Sequence, residues 1–396
     1  MITRQVVAYA MALLLASRES AAQTTGVPVR SLSTPEVELP QQFTKIAGIR
    51  ELSDGRAVVV DPGEKLVALV DFARSSLTKV GREGSGPGEY SNAGRVLAGQ
   101  GDTTIIGDLL GRLIKFGPSG TYVGDVLLPT TGRSGAQGRM GTSSRLTADA
   151  LGRLYKQASS FGARRGRGPA GSDSVAIQRI DLRTGKLDTA AWFPVPPMIF
   201  EATRDGGGIS PGGRPEGPYV AQGTWVVAPD GRIAIVSPAP YQVTWVSPSG
   251  QRTVGPLIAF QRVPVTSAEK QAYRENYPSA PNMSVSMSSD RGGVTSASSR
   301  PMPYREPSYW PETKDPFGNA PHTVLASPTG EVWILKQLPH TEKNPTYDVI
   351  GSRGELTGRV IIPPRSRVIG FGRNGAVYVV RRDDDDLEYL QRFRLR

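Results

Sequence analysis

Short apolar runs, each led by a glycine turn, recur along the chain. They read DGRAVVVD from Asp54, GDTTIIGD from Gly101, LGRLYKQ from Leu151, DGRIAIVS from Asp230, TGEVWILK from Thr329 and NGAVYVVR from Asn374. The runs are four to six residues long and rich in Val, Ile and Tyr, as buried strands are. Where nothing is inserted the copies lie about 45–50 residues apart, the length of one four-stranded propeller blade. Weaker apolar segments surround each copy, one before and two after. Thr224–Ala228, Arg232–Ser237, Tyr241–Val246 and Gln251–Leu257 make one such set. Val96–Ala98, Thr103–Asp108, Arg112–Phe116 and Tyr122–Leu128 make another. Turns such as GPSG at Gly117 and SPSG at Ser247 join the third segment to the fourth.

The pattern predicts an all-β fold, a six-bladed β-propeller of four-stranded antiparallel blades over residues 36–396. Its last blade supplies only three strands: from Val368, Ala376–Arg381 and Glu388–Leu395. The segment Glu36–Phe43 has alternating character and no repeat partner. Pairing it with the last blade closes the ring and removes an exposed edge.

Loop lengths are asymmetric. Turns between first and second and between third and fourth strands stay short. The long segments 129–145, 158–173, 194–222, 258–322 and 337–346 all belong to the second–third and blade-to-blade connections, which share one face. Binding residues concentrate on long loops over a rigid scaffold. The longest, 258–322, is expected to be partly helical: Thr266-Ser267-Ala268-Glu269 has the capping-box pattern and good helix formers follow to Tyr277. It is expected to cap one side of the channel mouth.

Composition narrows the setting. Residues 1–22 combine Arg4, an apolar stretch Val6–Ala16 and small residues at Ser20–Ala22, the pattern of a secretory signal. Residues 23–35 are expected to be a flexible lead. There is no cysteine, so neither disulfides nor lipid attachment through a thiol enters the picture. A periplasmic or secreted monomer without a transmembrane anchor is expected. The formal net charge is +11, from 47 Lys and Arg against 36 Asp and Glu. Export makes nucleic acid a poor partner for that charge and favours an anionic small molecule, glycan or peptide.

GREGSGPGEY, Gly81–Tyr90, lacks the Lys-Ser/Thr pair of a phosphate loop and is expected to be a crossover between blades, with Glu89 bonding backbone. It is similar to the GPGE-aromatic loop of exported bacterial six-bladed β-propeller proteins, and Asp61–Gly86 resembles an NHL-type blade. That resemblance implies fold and export, and brings no catalytic residues.

Candidate chemistry falls on the long-loop face. Arg133, Arg139, Arg145, Arg164, Arg165 and Arg167 cluster in loops of the third blade, where guanidinium forks suit carboxylate, sulfate or phosphate groups. Tyr309 and Trp310 offer stacking surface, and His322 lies beside the channel. These nine residues are the expected ligand-binding set. No catalytic residues are assigned and no cofactor is required, with calcium kept open for the acidic run Asp383–Asp386. The competing expectation is a calcium- or zinc-dependent lactonase- or lyase-like enzyme using Asp61, Asp108 and His322. Two histidines in the whole chain argue against a multi-histidine metal centre.

Overall fold

A computed structural model describes residues 26–108, 111–128, 145–158, 174–194, 199–202, 209–212, 217–276, 286–290, 293–298, 306–307 and 309–395. Six four-stranded antiparallel sheets form a six-bladed β-propeller. Blade 1 holds Gly48–Glu51, Ala57–Asp61, Leu66–Asp71 and Ser76–Lys79. Blade 2 holds Ala93–Ala98, Thr104–Asp108, Leu113–Phe116 and Tyr122–Asp125. Blade 3 is built from Leu146–Ala148, Leu154–Gln157, Ser174–Ile180 and Leu187–Pro194, and blade 4 from Thr224–Val227, Ile233–Pro238, Tyr241–Val246 and Arg252–Val254. Blade 5 comprises Val324–Ala326, Val332–Leu335, Thr346–Ile350 and Leu356–Ile361. Ser366–Phe371, Ala376–Arg382 and Glu388–Arg394 belong to blade 6. First strands adjoin one another in the order of blades 6, 1, 2, 3, 4 and 5, so they line the centre.

The glycine turns of the repeat have a local cause. In Asp54-Gly55-Arg56 and Asp230-Gly231-Arg232 the glycine sits at φ +85°, a conformation that penalises any Cβ. The aspartate accepts the arginine's backbone N–H at 3.0 Å in both turns and its Nε at 2.7 and 2.6 Å. Each second strand then runs through the middle of its sheet, covered on both faces by neighbouring blades. Ala57–Asp61 and Thr104–Asp108 are accordingly buried at every position, without polar alternation.

Ring closure follows the expectation. Val37–Phe43 pairs antiparallel with Glu388–Arg394, Val37 opposite Arg392 and Phe43 opposite Glu388, with a bulge between Glu38 and Gln42. Leu39 and Phe43 enter the core with Ile46, Val380 and Leu390. Ion pairs back this up: Glu36 meets Arg394 at 2.6 Å and Arg392 at 3.3 Å, and Glu38 meets Arg381 at 3.0 Å.

Hydrogen bonds from Arg394 hold the Glu36 carboxyl below its ordinary value of 4.5, and those from Arg381 do the same for Glu38. A lowered folded-state value contributes stability above the unfolded value, lost as pH falls through the folded one. The melting temperature is therefore expected to drop as pH falls from 4.5, and to drop less in Glu36→Gln/Glu38→Gln. A melting series from pH 6 to 3 checks this; parallel curves would count against it.

Within the stretch ahead of the first blade, Val29–Ser31 adds a fifth, parallel strand to the outer edge of blade 5, with Val29 opposite Arg359. All three residues are exposed, so side-chain patterning carried no signal. Backbone bonds at 2.8 and 2.9 Å and the buried side chain of Leu32 hold it. Residues 1–22 lie outside the described residues. No helix among the described residues is long and apolar enough to cross a membrane.

Candidate functional site at the channel mouth

Second–third and blade-to-blade connections open on one end of the channel. The helix Ser267–Glu275 covers part of that end, starting from Thr266, whose hydroxyl accepts the Glu269 N–H at 3.3 Å. The Glu269 carboxylate turns inward, to Lys314 at 2.6 Å and to the backbone N–H and Nδ1 of His340 at 2.9 and 3.0 Å. Burial pushes this carboxyl up, but the hydrogen bonds from Lys314 and His340 outweigh it and leave it below its ordinary value. Gln337 adds bonds to the carbonyls of Phe317, Tyr219 and Asp315. These contacts pin the cap to the loops of blades 4 and 5.

Trp310 is spent within the cap, its ring 5.4 Å from Tyr273 and 6.2 Å from Tyr219, with the Lys270 amine 5.5 Å from its centroid. Tyr309 is 40% exposed.

His322 bridges across the mouth. It precedes the first strand of blade 5, yet its Nε2 lies 3.2 Å from the carbonyl of Ala47, which precedes the first strand of blade 1. The bridge passes over blade 6. A carbonyl only accepts, so Nε2 carries the proton. Burial, and then the charge of Arg367, press the imidazole down to about 4, so it is neutral at ordinary pH. Beneath it Arg367 grips both oxygens of the buried Glu388 at 2.6 and 2.9 Å and donates to the Ile46 carbonyl at 2.8 Å.

The two aspartates of the enzyme alternative hold backbone. Asp61 accepts from the amides of Thr44 and Gly63 at 2.8 Å and of Lys45 and Glu64 at 3.1 Å. Asp108 accepts from Ser91 at 2.6 Å. A cation at Asp61 would have to displace four amide donors. Among the described residues no group of three His, Cys, Asp or Glu side chains is placed to hold a metal. In the acidic run, Asp383 accepts the amides of Asp385 and Leu387 at 3.0 and 2.9 Å, and Arg365 pairs with Asp384.

GREGSGPGEY forms the expected crossover. Glu89 accepts from Gly86 at 2.8 Å and from Arg82 at 2.6 Å, while the buried Tyr90 hydroxyl accepts from Val67 and donates to Val80, both at 3.1 Å. At Gly81, φ +62°, a Cβ would sit 2.6 Å from the Gly88 carbonyl.

Cations gather in the sector of blades 2, 3 and 4. Arg145 stands immediately before the first strand of blade 3, exposed as a residue while its guanidinium lies against blade 4. Its Nη1 donates to the Trp225 carbonyl of blade 4 at 2.6 Å, and its guanidinium carbon lies 5.8 Å from the Trp225 ring centroid. Trp225 in turn donates Nε1 to Gln157 of blade 3 at 3.0 Å. Beside them are Arg95, on the first strand of blade 2, and Lys156, paired in register with Leu146. Burial lowers all three cations, and the like charge of Arg95 lowers Arg145 further. Sequence reasoning singled out Arg145 and missed Arg95 and Lys156, which sit inside strands that read as core. The segments carrying Arg133, Arg139, Arg164, Arg165 and Arg167 lie outside the described residues; they join the fold at Arg145 and Ala158.

No family model and no curated protein matches the chain. Solved structures do resemble it. A protein described as exported, from Bacteroides fragilis, is 12% identical with a TM-score of 0.46, over 93% of this chain and 99% of that one. The calcium-binding protein regucalcin from Agrobacterium tumefaciens is 12% identical with a TM-score of 0.44, over 94% and 98%. Virginiamycin B lyase from Staphylococcus aureus is 10% identical with a TM-score of 0.39, over 91% and 87%. At such distances none of their chemistry passes to this chain.

Proposed function

We propose that the chain is an exported binding module for an anionic small molecule, glycan or peptide, taken at the long-loop mouth between blades 2, 3 and 4. The supporting observation is the Arg95–Arg145 pair. Two guanidinium groups on adjacent first strands lie close enough for one charge to disfavour the other, with Lys156 in the same sector. An oxyanion beside Arg145 offsets that repulsion and what burial costs its guanidinium. The export pattern of residues 1–22 supports a ligand met outside the cytoplasm.

The test is a column of immobilised polygalacturonate beside one of neutral dextran. Purified protein is expected to be retained on the first at low ionic strength and released by salt, since screening shortens the reach of exposed charges. Lys156→Gln is expected to elute at lower salt. Equal passage through both columns would overturn the reading.

A further inference from the structure

Two arginines elsewhere in this chain show how a guanidinium is used when one of its nitrogens is tied to backbone. Arg179 donates Nη1 to the Pro248 carbonyl at 3.3 Å and takes both oxygens of Asp188 with Nε and Nη2, at 3.0 and 2.7 Å. Arg394 donates Nη1 to the Asn374 carbonyl at 2.8 Å and takes both oxygens of Glu36 with the same edge, at 2.6 and 3.1 Å. In each case the carbonyl fixes the plane of the group and the Nε–Nη2 edge meets a planar, two-oxygen acceptor. Arg145 has the first half of this arrangement. Nη1 is on the Trp225 carbonyl at 2.6 Å, and the guanidinium lies by the indole face. The residue as a whole is exposed at the long-loop end of blade 3.

We propose that Arg145 is the residue that reads a carboxylate on the ligand, holding both oxygens with Nε–H and Nη2–H while Nη1 stays on the Trp225 carbonyl. The inference rests on the anion-binding reading above and names the acid it recognises. Lys156 then supplies field without a second fork. Lysine in place of Arg145 keeps a positive charge but lacks the two parallel donors, so it separates recognition of shape from attraction by charge.

The experiment measures binding of oligogalacturonate, its methyl ester and inorganic phosphate by calorimetry. Arginine Nε–H resonances are followed in parallel by NMR. Wild-type protein is expected to bind the acid and ignore the ester. One Nε–H signal, the one missing from Arg145→Lys, is expected to shift on adding the acid. Arg145→Lys, with an unchanged melting temperature, is expected to lose about tenfold or more in affinity, the scale of one charge-assisted bidentate contact. Equal affinity in Arg145→Lys, or an unmoved Nε–H signal at saturation, overturns the role of Arg145. Binding of phosphate without binding of the acid overturns the carboxylate while the anion site stands. Binding of neither charged probe overturns the anion site itself. Should Arg145→Lys melt early, Lys156→Gln compared with Arg145→Gln gives the same discrimination: a fork at Arg145 predicts the larger loss there.

Discussion

Leu39→Ala/Phe43→Ala is expected to unfold most of the protein at room temperature. Leu39 is fully buried and Phe43 is 2% exposed. Truncating a buried leucine costs about 2–5 kcal/mol and a buried phenylalanine about 3–5, so the pair sums to about 5–10. A folded domain has only about 5–15 kcal/mol in total. The substitutions fall on the strand that completes blade 6, so the loss also frees the edge of Glu388–Arg394. Denaturant titration followed by tryptophan fluorescence measures the change, and light scattering reports the freed edge. A loss under about 2 kcal/mol, below the range for even one buried leucine, would mean that this strand does not close the ring.

Arg367→Met is expected to be nearly as damaging, for a different reason. It leaves Glu388, 2% exposed, with a buried charge and only the Ile46 amide, at 2.6 Å, to satisfy it. Removing one partner of a buried pair costs about 3–5 kcal/mol, whereas replacing both by apolar side chains is often close to neutral. Arg367→Met/Glu388→Leu is therefore expected to recover much of the loss, offset by the Ile46 amide and carbonyl left without their partners. Equilibrium unfolding of both variants decides. A double variant no more stable than Arg367→Met would show that the backbone bonds to Ile46, rather than the charge pair, hold this corner.

The architecture was legible because a propeller repeats its own local chemistry. Asp54-Gly55-Arg56 and Asp230-Gly231-Arg232 close similar turns for similar reasons, and burial of the second strand on both faces erases alternation in Ala57–Asp61 as in Thr104–Asp108. Closure was legible because Glu36–Phe43 had no partner within the repeat. Val29–Ser31 escaped notice because backbone pairing on an outer edge leaves no pattern in three exposed side chains. The site was legible only in part. Arg145 belongs to a run of loop arginines visible in the sequence, but Arg95 becomes its neighbour only when the first strands of blades 2 and 3 meet, and Lys156 enters the sector through its pairing with Leu146. Trp310 shows the converse. The sequence left stacking on a ligand and packing of the insertion equally open for it, and the fold packs it beside Tyr219 and Tyr273.

The histidine that reaches over blade 6 breaks the near symmetry of the ring. Six similar sheets surround the axis, but His322 and Ala47 roof one sector while the arginine-bearing sector lies opposite. A nearly symmetric scaffold thus acquires two unlike halves from one side-chain bond.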